Sequence, residues 1–512
     1  MLVKTYGSAV YGINATTITV EVNVGQGSKF FLVGLPDNAV KESERRMEAA
    51  LKNIGYKMPG KRVVVNMAPA DIRKEGSSYD LTIAMGILAA SEQIISDDIN
   101  KYIIMGELSL DGGLQPIKGA LPIAIEACKE GFKGFILPKA NAREAAIVSD
   151  LLVYGAENIS EVIDFFIGNS KIEPTIVNTR EEFYLQQTQS DVDFSDVKGQ
   201  ENIKRALEIA ASGGHNVILI GPPGAGKTML AKRLPTILPP LSLHEALETT
   251  KIHSVAGRMG KQAALVSVRP FRSPHHTISD VALVGGGGIP QPGEISLAHN
   301  GVLFLDELPE FKRSVLEVMR QPLEERRITI SRARFSVEYP ASFMLVASMN
   351  PCPCGYYNHP EKECVCAPGV VQKYLNKISG PLLDRIDLHV EVTPVSFNEL
   401  SKERLSEKSE SVRERVVKAR TIQSERYKTS ENVYCNAQMS SKQLRSICQI
   451  SEEGTQLLKT AMERLGLSAR AYDRILKVSR TIADLAASED IKTEHLAEAI
   501  QYRSLDRDGW AG

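Results

Sequence analysis

No apolar run approaches the ~18–20 residues that a membrane-crossing helix needs, which excludes a chain built of membrane spans. Neither sign of charge is in excess: 61 Lys plus Arg face 62 Asp plus Glu, a net charge of -1. A protein that coats nucleic acid all over would be basic, so any such partner must meet local patches. Cysteine is scarce, at seven in 512 residues, too few for a secreted disulfide scaffold. The opening stretch, MLVKTYGSAVYGINATTITVEV, alternates like a strand and lacks the basic start and apolar core of a signal peptide. The expectation is a cytoplasmic protein. With 43% apolar and 24% charged residues the chain is not largely disordered. Its length suggests about two to four domains.

Three blocks follow one another. Residues 1–168 mix β-branched alternation (Thr16–Val24, Arg62–Asn66) with helix-like stretches (Glu42–Lys52, Ala120–Glu130) and a turn at Ile136–Pro138. The polar stretch Asn169–Asp193 reads as a linker. From Phe194 onward, apolar strand, glycine turn and helix repeat, the pattern of a parallel α/β sheet. The charged segment Leu400–Lys428 reads as a solvated helix face, and Ser440–Arg507 as several short amphipathic helices. The domain expectation is 1–168, a linker 169–193, an α/β core 194–397 and a helical unit 398–512.

The most specific signal is NVILIGPPGAGKTMLAKRL. Val217–Ile220 reads as a buried strand, and Gly221, Pro222, Pro223, Gly224, Ala225, Gly226, Lys227 and Thr228 fit the phosphate-loop pattern G-x-x-x-x-G-K-[ST]. Glycines let backbone N–H groups converge on phosphate oxygens, and the helix N-terminus that follows adds a favourable dipole. Lys227 is then expected to bridge the β- and γ-phosphates of ATP, and Thr228 to offer its hydroxyl to Mg²⁺. A second strand, Val302–Leu305, ends in Asp306 and Glu307: Asp306 is expected on Mg²⁺, and Glu307 as general base for an attacking water. A third strand, Phe343–Ser348, leads to Asn350, at the strand edge where open α/β sheets bind ligands. The alternative for Asn350 is a turn residue before Pro351.

GPPGAGKT, VLFLDELPEF, ASMNPCPCG and GPLLDRIDLHVEV, in this order, resemble the AAA+ ATPases of the magnesium-chelatase-like group, most closely the YifB/ComM family. The likeness runs over nearly the whole chain. It implies an α/β multidomain fold: an N-terminal Lon-protease-like (ribosomal protein S5 domain 2-like) α+β domain, an AAA+ core and a C-terminal helical lid. It further implies that Asn350 is sensor 1, Arg385 an arginine finger reaching a neighbour's ATP, and Arg470 the sensor 2 arginine. An ion pair of Arg385 with Asp384 or Asp387 is the alternative, and Arg474 competes with Arg470 one turn later.

Within the N-terminal block, Lys74–Ala90 and Gly106–Pro138 resemble the Lon protease domain, which uses a serine–lysine dyad. Ser78 stands where the serine would be, but Leu121 occupies the lysine's place, with Lys118 nearby. The expectation is a non-proteolytic scaffold. Cys352, Cys354, Cys364 and Cys366 form a C-x-C…C-x-C loop that admits three readings: a structural Zn²⁺ site, packing thiols, or a redox pair. His359 lies between the pairs as a substitute ligand. Cys128, Cys435 and Cys448 read as packing residues.

Two insertions carry cations. Lys251–Asn300 holds Lys251, Arg258, Lys261, Arg269, Arg272, His275, His276 and the run Gly285–Gly288; Arg326–Tyr339 alternates like a hairpin with Arg332 and Arg334 near its tip. They resemble the helix-2 insert and pre-sensor-1 hairpin of the same group, which implies a pore-facing position in a hexameric ring. DNA contacts are thus expected from Arg269, Arg272, Arg332 and Arg334; pairing with Glu324 and Glu325 is the alternative. The resemblance implies a ring-forming ATPase that moves DNA, a helicase or branch-migration motor in natural transformation. A chelatase-type or protein-remodelling ATPase remains the alternative.

Overall fold

The computed structural model describes residues 1–187, 192–260, 263–287, 290–332, 335–357, 359, 361–367, 369–394, 406–430 and 433–503. Two separate β-sheets organise them.

The first sheet is mixed and has seven strands. Its elements, in chain order, are β1 (Leu2–Tyr11), β2 (Asn14–Gly25), β3 (Phe30–Val33), α1 (Ser43–Asn53), β4 (Arg62–Ala68), α2 (Asp80–Ala90), β5 (Tyr102–Ile104), α3 (Ala120–Lys129), β6 (Gly134–Pro138) and β7 (Leu152–Ala156). The strand order is β3-β4-β2-β1-β5-β6-β7. The expected turn at Ile136–Pro138 is instead part of β6, buried along its whole length. In β2 the alternation puts Ile18, Val20, Val22 and Val24 on the buried face, as a period of two requires. Helix α2 is apolar all round, and all eleven of its residues are buried. It lies so close to β2 that a Cβ at Gly86 would sit 2.7 Å from Val22 Cγ2.

The stretch read as a linker is partly ordered: α4 (Thr179–Gln187) carries Phe183, which is buried. Residues 188–191 lie outside the described set.

The second sheet has five parallel strands. The chain runs α5 (Glu201–Gly213), β8 (Val217–Ile220), α6 (Lys227–Ile237), α7 (Leu243–Val255), β9 (Phe271–Arg272), β10 (Val302–Leu305), α8 (Arg320–Glu325), the antiparallel hairpin β11 (Arg327–Arg332) and β12 (Phe335–Pro340), then β13 (Met344–Met349) and β14 (Leu388–Glu391). The sheet order is β9-β10-β13-β8-β14. Strands β8, β10 and β13 (VILI, VLFL, MLVASM) are buried at every residue, which is why they read as continuous apolar runs. Helices α9 (Ser409–Arg426), α10 (Ser441–Ile447), α11 (Glu452–Leu465), α12 (Ala469–Leu485) and α13 (Thr493–Gln501) follow and share one apolar core with β8, β14 and α5. The charged helix α9 is not solvated all round: Val412 and Val416 face this core, and Ala419 is buried as well. The expected boundary at 397/398 falls outside the described residues, as do the last residues, 504–512.

The two sheets are joined at two places. Leu121 on α3 is fully buried in a cluster with Ile147, Phe183, Leu241, Ala246, Ala264 and Leu265, so α3 packs on α7. The backbone N–H of Gly119 donates to Ser254 O at 3.1 Å across this seam. At the second place the β1–β2 turn meets the β11–β12 hairpin: Tyr11 O–H donates to Ser336 O at 3.0 Å, and a Cβ at Gly12 would lie 3.0 Å from Val337 Cγ1. Among the described residues no helix is long and apolar enough to cross a membrane.

Candidate active site

The loop after β8 turns tightly because Gly224 and Gly226 adopt φ of +79° and +83°, a region that side chains with a Cβ avoid. Gly221 is required for another reason: a Cβ there would meet Val392 O at 2.3 Å. Lys227 opens α6 and is almost fully buried. Its Nζ donates to Gly221 O (2.7 Å), Pro222 O (2.9 Å) and Asn350 Oδ1 (3.1 Å). Burial pushes the Lys227 ammonium below its ordinary range, and the charges of Asp306 and Glu307 oppose that shift. Thr228 Oγ1 donates to Asp306 Oδ2 at 2.8 Å. Asp306 also accepts from Ser348 Oγ, and from the Glu307 backbone N–H at 3.1 Å. Residues from three strand ends thus converge on one carboxyl edge of the sheet.

Glu307 is different. Its backbone sits in the left-handed region (φ +53°), which turns its side chain out of the strand line, and that side chain is 58% exposed. His276 Nδ1 approaches its Oε2 at 3.8 Å. Three residues at this edge were not read from the sequence as part of the ATP site: Ser348, His276, and Gln200, whose Nε2 donates to Ala225 O at 2.9 Å. Ser348 had a signal, as the single hydroxyl in the apolar run MLVASM. Gln200 had none.

The arginines lie elsewhere. Arg385 is buried; it donates to Pro381 O and pairs with Glu324, not with Asp384 or Asp387. Its Nε has no hydrogen-bond partner, and it lines a cavity of about 460 Å³ with Val284, Gln321, Glu324 and Ile328. Arg470 is exposed and bonds Asp384 Oδ2 at 2.8 Å, while Arg474 pairs with Asp387 at 3.0 Å. Asn216, directly before β8, fixes this region by donating to Arg385 O (2.9 Å) and accepting from Asp387 N–H (3.0 Å). Arg385 and Arg474 therefore stand at the amino ends of the strands, and the Asp384 contact carries Arg470 to the same side. The phosphate-loop motif is at the carboxyl ends. As placed, none of them reaches Lys227 of its own chain.

Two arginines expected on DNA are engaged within the fold. Arg269 donates to Pro239 O (2.6 Å) and Asn300 O (2.7 Å) and faces Glu245 at 3.4 Å, so its guanidinium is spent inside the fold. Arg272 makes a bidentate pair with Glu294 at 2.6 and 2.7 Å, which cancels its charge locally. The hairpin forms where expected, with Arg332 paired in register to Phe335. The side chain of Arg332 and all of Arg334 lie outside the described residues, as do Lys261 and Gly288.

The four cysteines meet. Cys352 Sγ lies 3.2 Å from Cys354 Sγ and 3.7 Å from Cys364 Sγ, and Cys354 Sγ lies 3.6 Å from Cys364 Sγ. All four sulfurs, with Cys366, fall within 4.8 Å of one another. Four thiolates at about 2.3 Å from a tetrahedral Zn²⁺ would be about 3.8 Å apart, close to the spacing of this set. Burial, then the Cys354 hydrogen bond, pushes the Cys352 thiol up. His359 is not in the group: its Nδ1 accepts from the backbone N–H of Glu361 and Lys362 at 3.0 and 3.1 Å. Cys435 and Cys448 are buried, in keeping with a packing role.

In the N-terminal sheet, Ser78 O accepts from Gly106 N–H at 2.8 Å. Leu121 donates its backbone N–H to Glu144 Oε1 at 3.0 Å, with its side chain sealed under α7. The stem of Lys118 packs against Gly257.

Comparison with known proteins agrees with this layout. The family described as magnesium chelatase, subunit ChlI, matches residues 193–400; its companion descriptions, subunit ChlI of Mg-chelatase and the ChlI C-terminal part, match residues 20–141 and 406–503. Competence protein ComM of Haemophilus influenzae is 45% identical over 509 residues, covering 98% of this chain and 97% of its own. The uncharacterized protein YifB of Escherichia coli is 46% identical over 504 residues, covering 98% and 96%. Lon protease 2 of Bacillus subtilis is 34% identical over 155 residues, 28% of this chain and 27% of its own. Full-length identity at this level, on a mixed α/β fold with a helical C-terminal part, settles the kinship. The chain belongs to the YifB/ComM family of magnesium-chelatase-like AAA+ ATPases.

Proposed function

We propose that this chain is the subunit of a hexameric ring ATPase that translocates DNA, a helicase or branch-migration motor for recombination during natural transformation. One observation carries the ring: Lys227, Thr228, Asp306 and Asn350 gather at one end of the sheet, while Arg385 sits at the other. Strand β8 spans about 13 Å at ~3.3 Å per residue, too far for Arg385 to serve its own site. In a head-to-tail ring the same arginine would face a neighbour's site.

ATP with Mg²⁺, when bound, supplies the phosphoanhydride to be cleaved; the oxygen donors of Thr228 and Asp306 suit so hard a cation. Lys227 exchanges its carbonyl partners for phosphate oxygens, and Asn350 holds its ammonium in line. Glu307, exposed at the strand edge, takes the proton of the attacking water. Arg385, released from Glu324, spreads its charge over the transferred group of the next subunit, with Arg470 on the same face. The N-terminal domain is read as a Lon-protease-like scaffold without its dyad, since Leu121 holds the lysine's position and is sealed. Cys352, Cys354, Cys364 and Cys366 are assigned to a structural Zn²⁺.

DNA rests on the hairpin arginines, Arg332 and Arg334, and on the competence role in a relative's name. The internal pairing of Arg269 and Arg272 favours the second reading, an ATPase that remodels a protein partner. Changing Arg332 and Arg334 together to Ala decides between them. Basal ATP hydrolysis should persist, while forked-DNA affinity falls and its salt dependence flattens by about one phosphate contact per lost arginine. Equal affinities and equal salt slopes for both proteins would select the protein-remodelling reading.

A further inference from the structure

The cysteine loop does not stand apart from the phosphate loop; it rests on it. Asn350, two residues before Cys352, accepts from Lys227 Nζ at 3.1 Å. Gly355, one residue after Cys354, has φ of +85° and packs so tightly that a Cβ there would come within 2.5 Å of Pro223 Cδ. The Gly355 backbone N–H closes the knuckle onto Cys352 O at 3.0 Å, and Cys352 is fully buried. The segment from Asn350 to Gly355 therefore touches the lysine at its first residue and the proline of GPPGAGKT at its last.

The second half of the loop is held differently. Residues 361–367 are exposed or half-buried, with Val365 among the most exposed apolar side chains. What brings this half to the knuckle is the meeting of Cys364 and Cys366 with Cys352 and Cys354. A tetrahedral ion closing those four sulfurs would fix the knuckle, and a fixed knuckle fixes Pro223 and Asn350.

We propose that the four-cysteine loop takes a thiolate-loving divalent cation and that this metal and the nucleotide bind cooperatively, each stabilising the loop geometry the other needs. The proposal rests on reading Gly221–Thr228 as the nucleotide loop. Coupling of this kind is reciprocal: the factor by which metal tightens nucleotide must equal the factor by which nucleotide tightens metal. Contact through one packed seat and one hydrogen bond places that factor at about 5–150-fold, the usual span of such couplings.

The test uses the full chain, stripped of metal by chelator under reducing conditions. Co²⁺ is titrated in, read by its thiolate charge-transfer and tetrahedral d–d bands, with and without a non-hydrolysable ATP analogue. A fluorescent ATP analogue is then titrated with and without Zn²⁺. The expected result is tetrahedral thiolate binding of one Co²⁺ per chain, tightened at least fivefold by nucleotide, and nucleotide binding tightened by the same factor. Two variants locate the effect. Cys364→Ser leaves the knuckle in place but should make nucleotide affinity insensitive to metal. Gly355→Ala keeps all four thiols and should retain the cobalt spectrum while losing the reciprocity. Absence of the thiolate spectrum overturns the metal site and the coupling with it. A normal spectrum with affinities that change less than twofold overturns the coupling alone. Failure of the analogue to bind at any metal level overturns the nucleotide reading underneath.

Discussion

The two sheets differ in what their surroundings leave open. In the five-stranded sheet, the strand ends stay open: Thr228 and Asp306 meet there, and the Glu307 side chain faces solvent. Beside the seven-stranded sheet, on the proposed Lon-protease-like reading, the lysine's place falls at Leu121 on helix α3, fully buried beneath α7. One sheet keeps room for a ligand; the other has spent that room on apolar contact with its neighbour. A retained fold therefore says little about retained chemistry. What decides is whether the reacting atoms still have space and a partner of the right type.

The comparison can be broken or sharpened by substitution. The largest effect is expected at the amino ends of the open sheet. Arg385→Ala should bind ATP yet lose about 10³-fold in turnover, the usual worth of such an arginine. Mixing it with Lys227→Ala subunits should restore part of the activity, because each supplies what the other lacks; no recovery at any ratio would remove the shared site. Glu307→Gln comes next. Phosphate and Mg²⁺ contacts persist, so ATP should bind while hydrolysis falls about 10²-fold or more. Phosphate release at the unmodified rate would show that Glu307 is not the base.

In the closed sheet the effects should be structural. Leu121→Lys restores the missing amine on paper, but it places an ammonium in an apolar cluster. A loss of about 3–5 kcal/mol in denaturant unfolding is expected, with no cleavage of casein or short peptides. Peptide hydrolysis by this variant would mean that the groove still works and that the two sheets are less different than their packing suggests. Ser78→Ala is the smallest: stability within about 0.5 kcal/mol and ATP turnover unchanged. A large fall in either would give Ser78 a role that the buried Leu121 argues against.

Much of the open site was legible in the sequence because its chemistry is local. The spacing of Gly221, Gly226, Lys227 and Thr228 is imposed by one turn between one strand and one helix, and the strands that carry Asp306 and Asn350 announce themselves as apolar runs. The arginines were harder. Arg269, Arg272 and the hairpin arginines look alike in one dimension, and only the third shows that Glu294 and the carbonyls of Pro239 and Asn300 use up the first two. Arg385 was expected to pair, if at all, with its sequence neighbours, and instead found Glu324, 61 residues away. The segment read as a linker hid α4 for the same reason: TREEFYLQQ is polar except where Phe183 finds a cluster contributed by distant residues. His276 beside Glu307 likewise depends on a loop path that no spacing rule encodes.

The contact between Tyr11 and Ser336 has a mechanical meaning. A hairpin fastened only at its root would swing like an oar, and force at its tip would act on the single helix, α8, that leads into it. Here the turn of β1–β2 props the returning strand from the side, while Ile328, Ile330, Val337 and Tyr339 anchor the hairpin in the core beneath it. A pull on its tip would be shared by that core, by α8, which carries Glu324 and hence restrains Arg385, and by the long β1–β2 ladder of the N-terminal sheet. Stiffening or loosening the Tyr11 support would change how much of each pull arrives at Arg385, so the N-terminal sheet works as ballast for the hairpin.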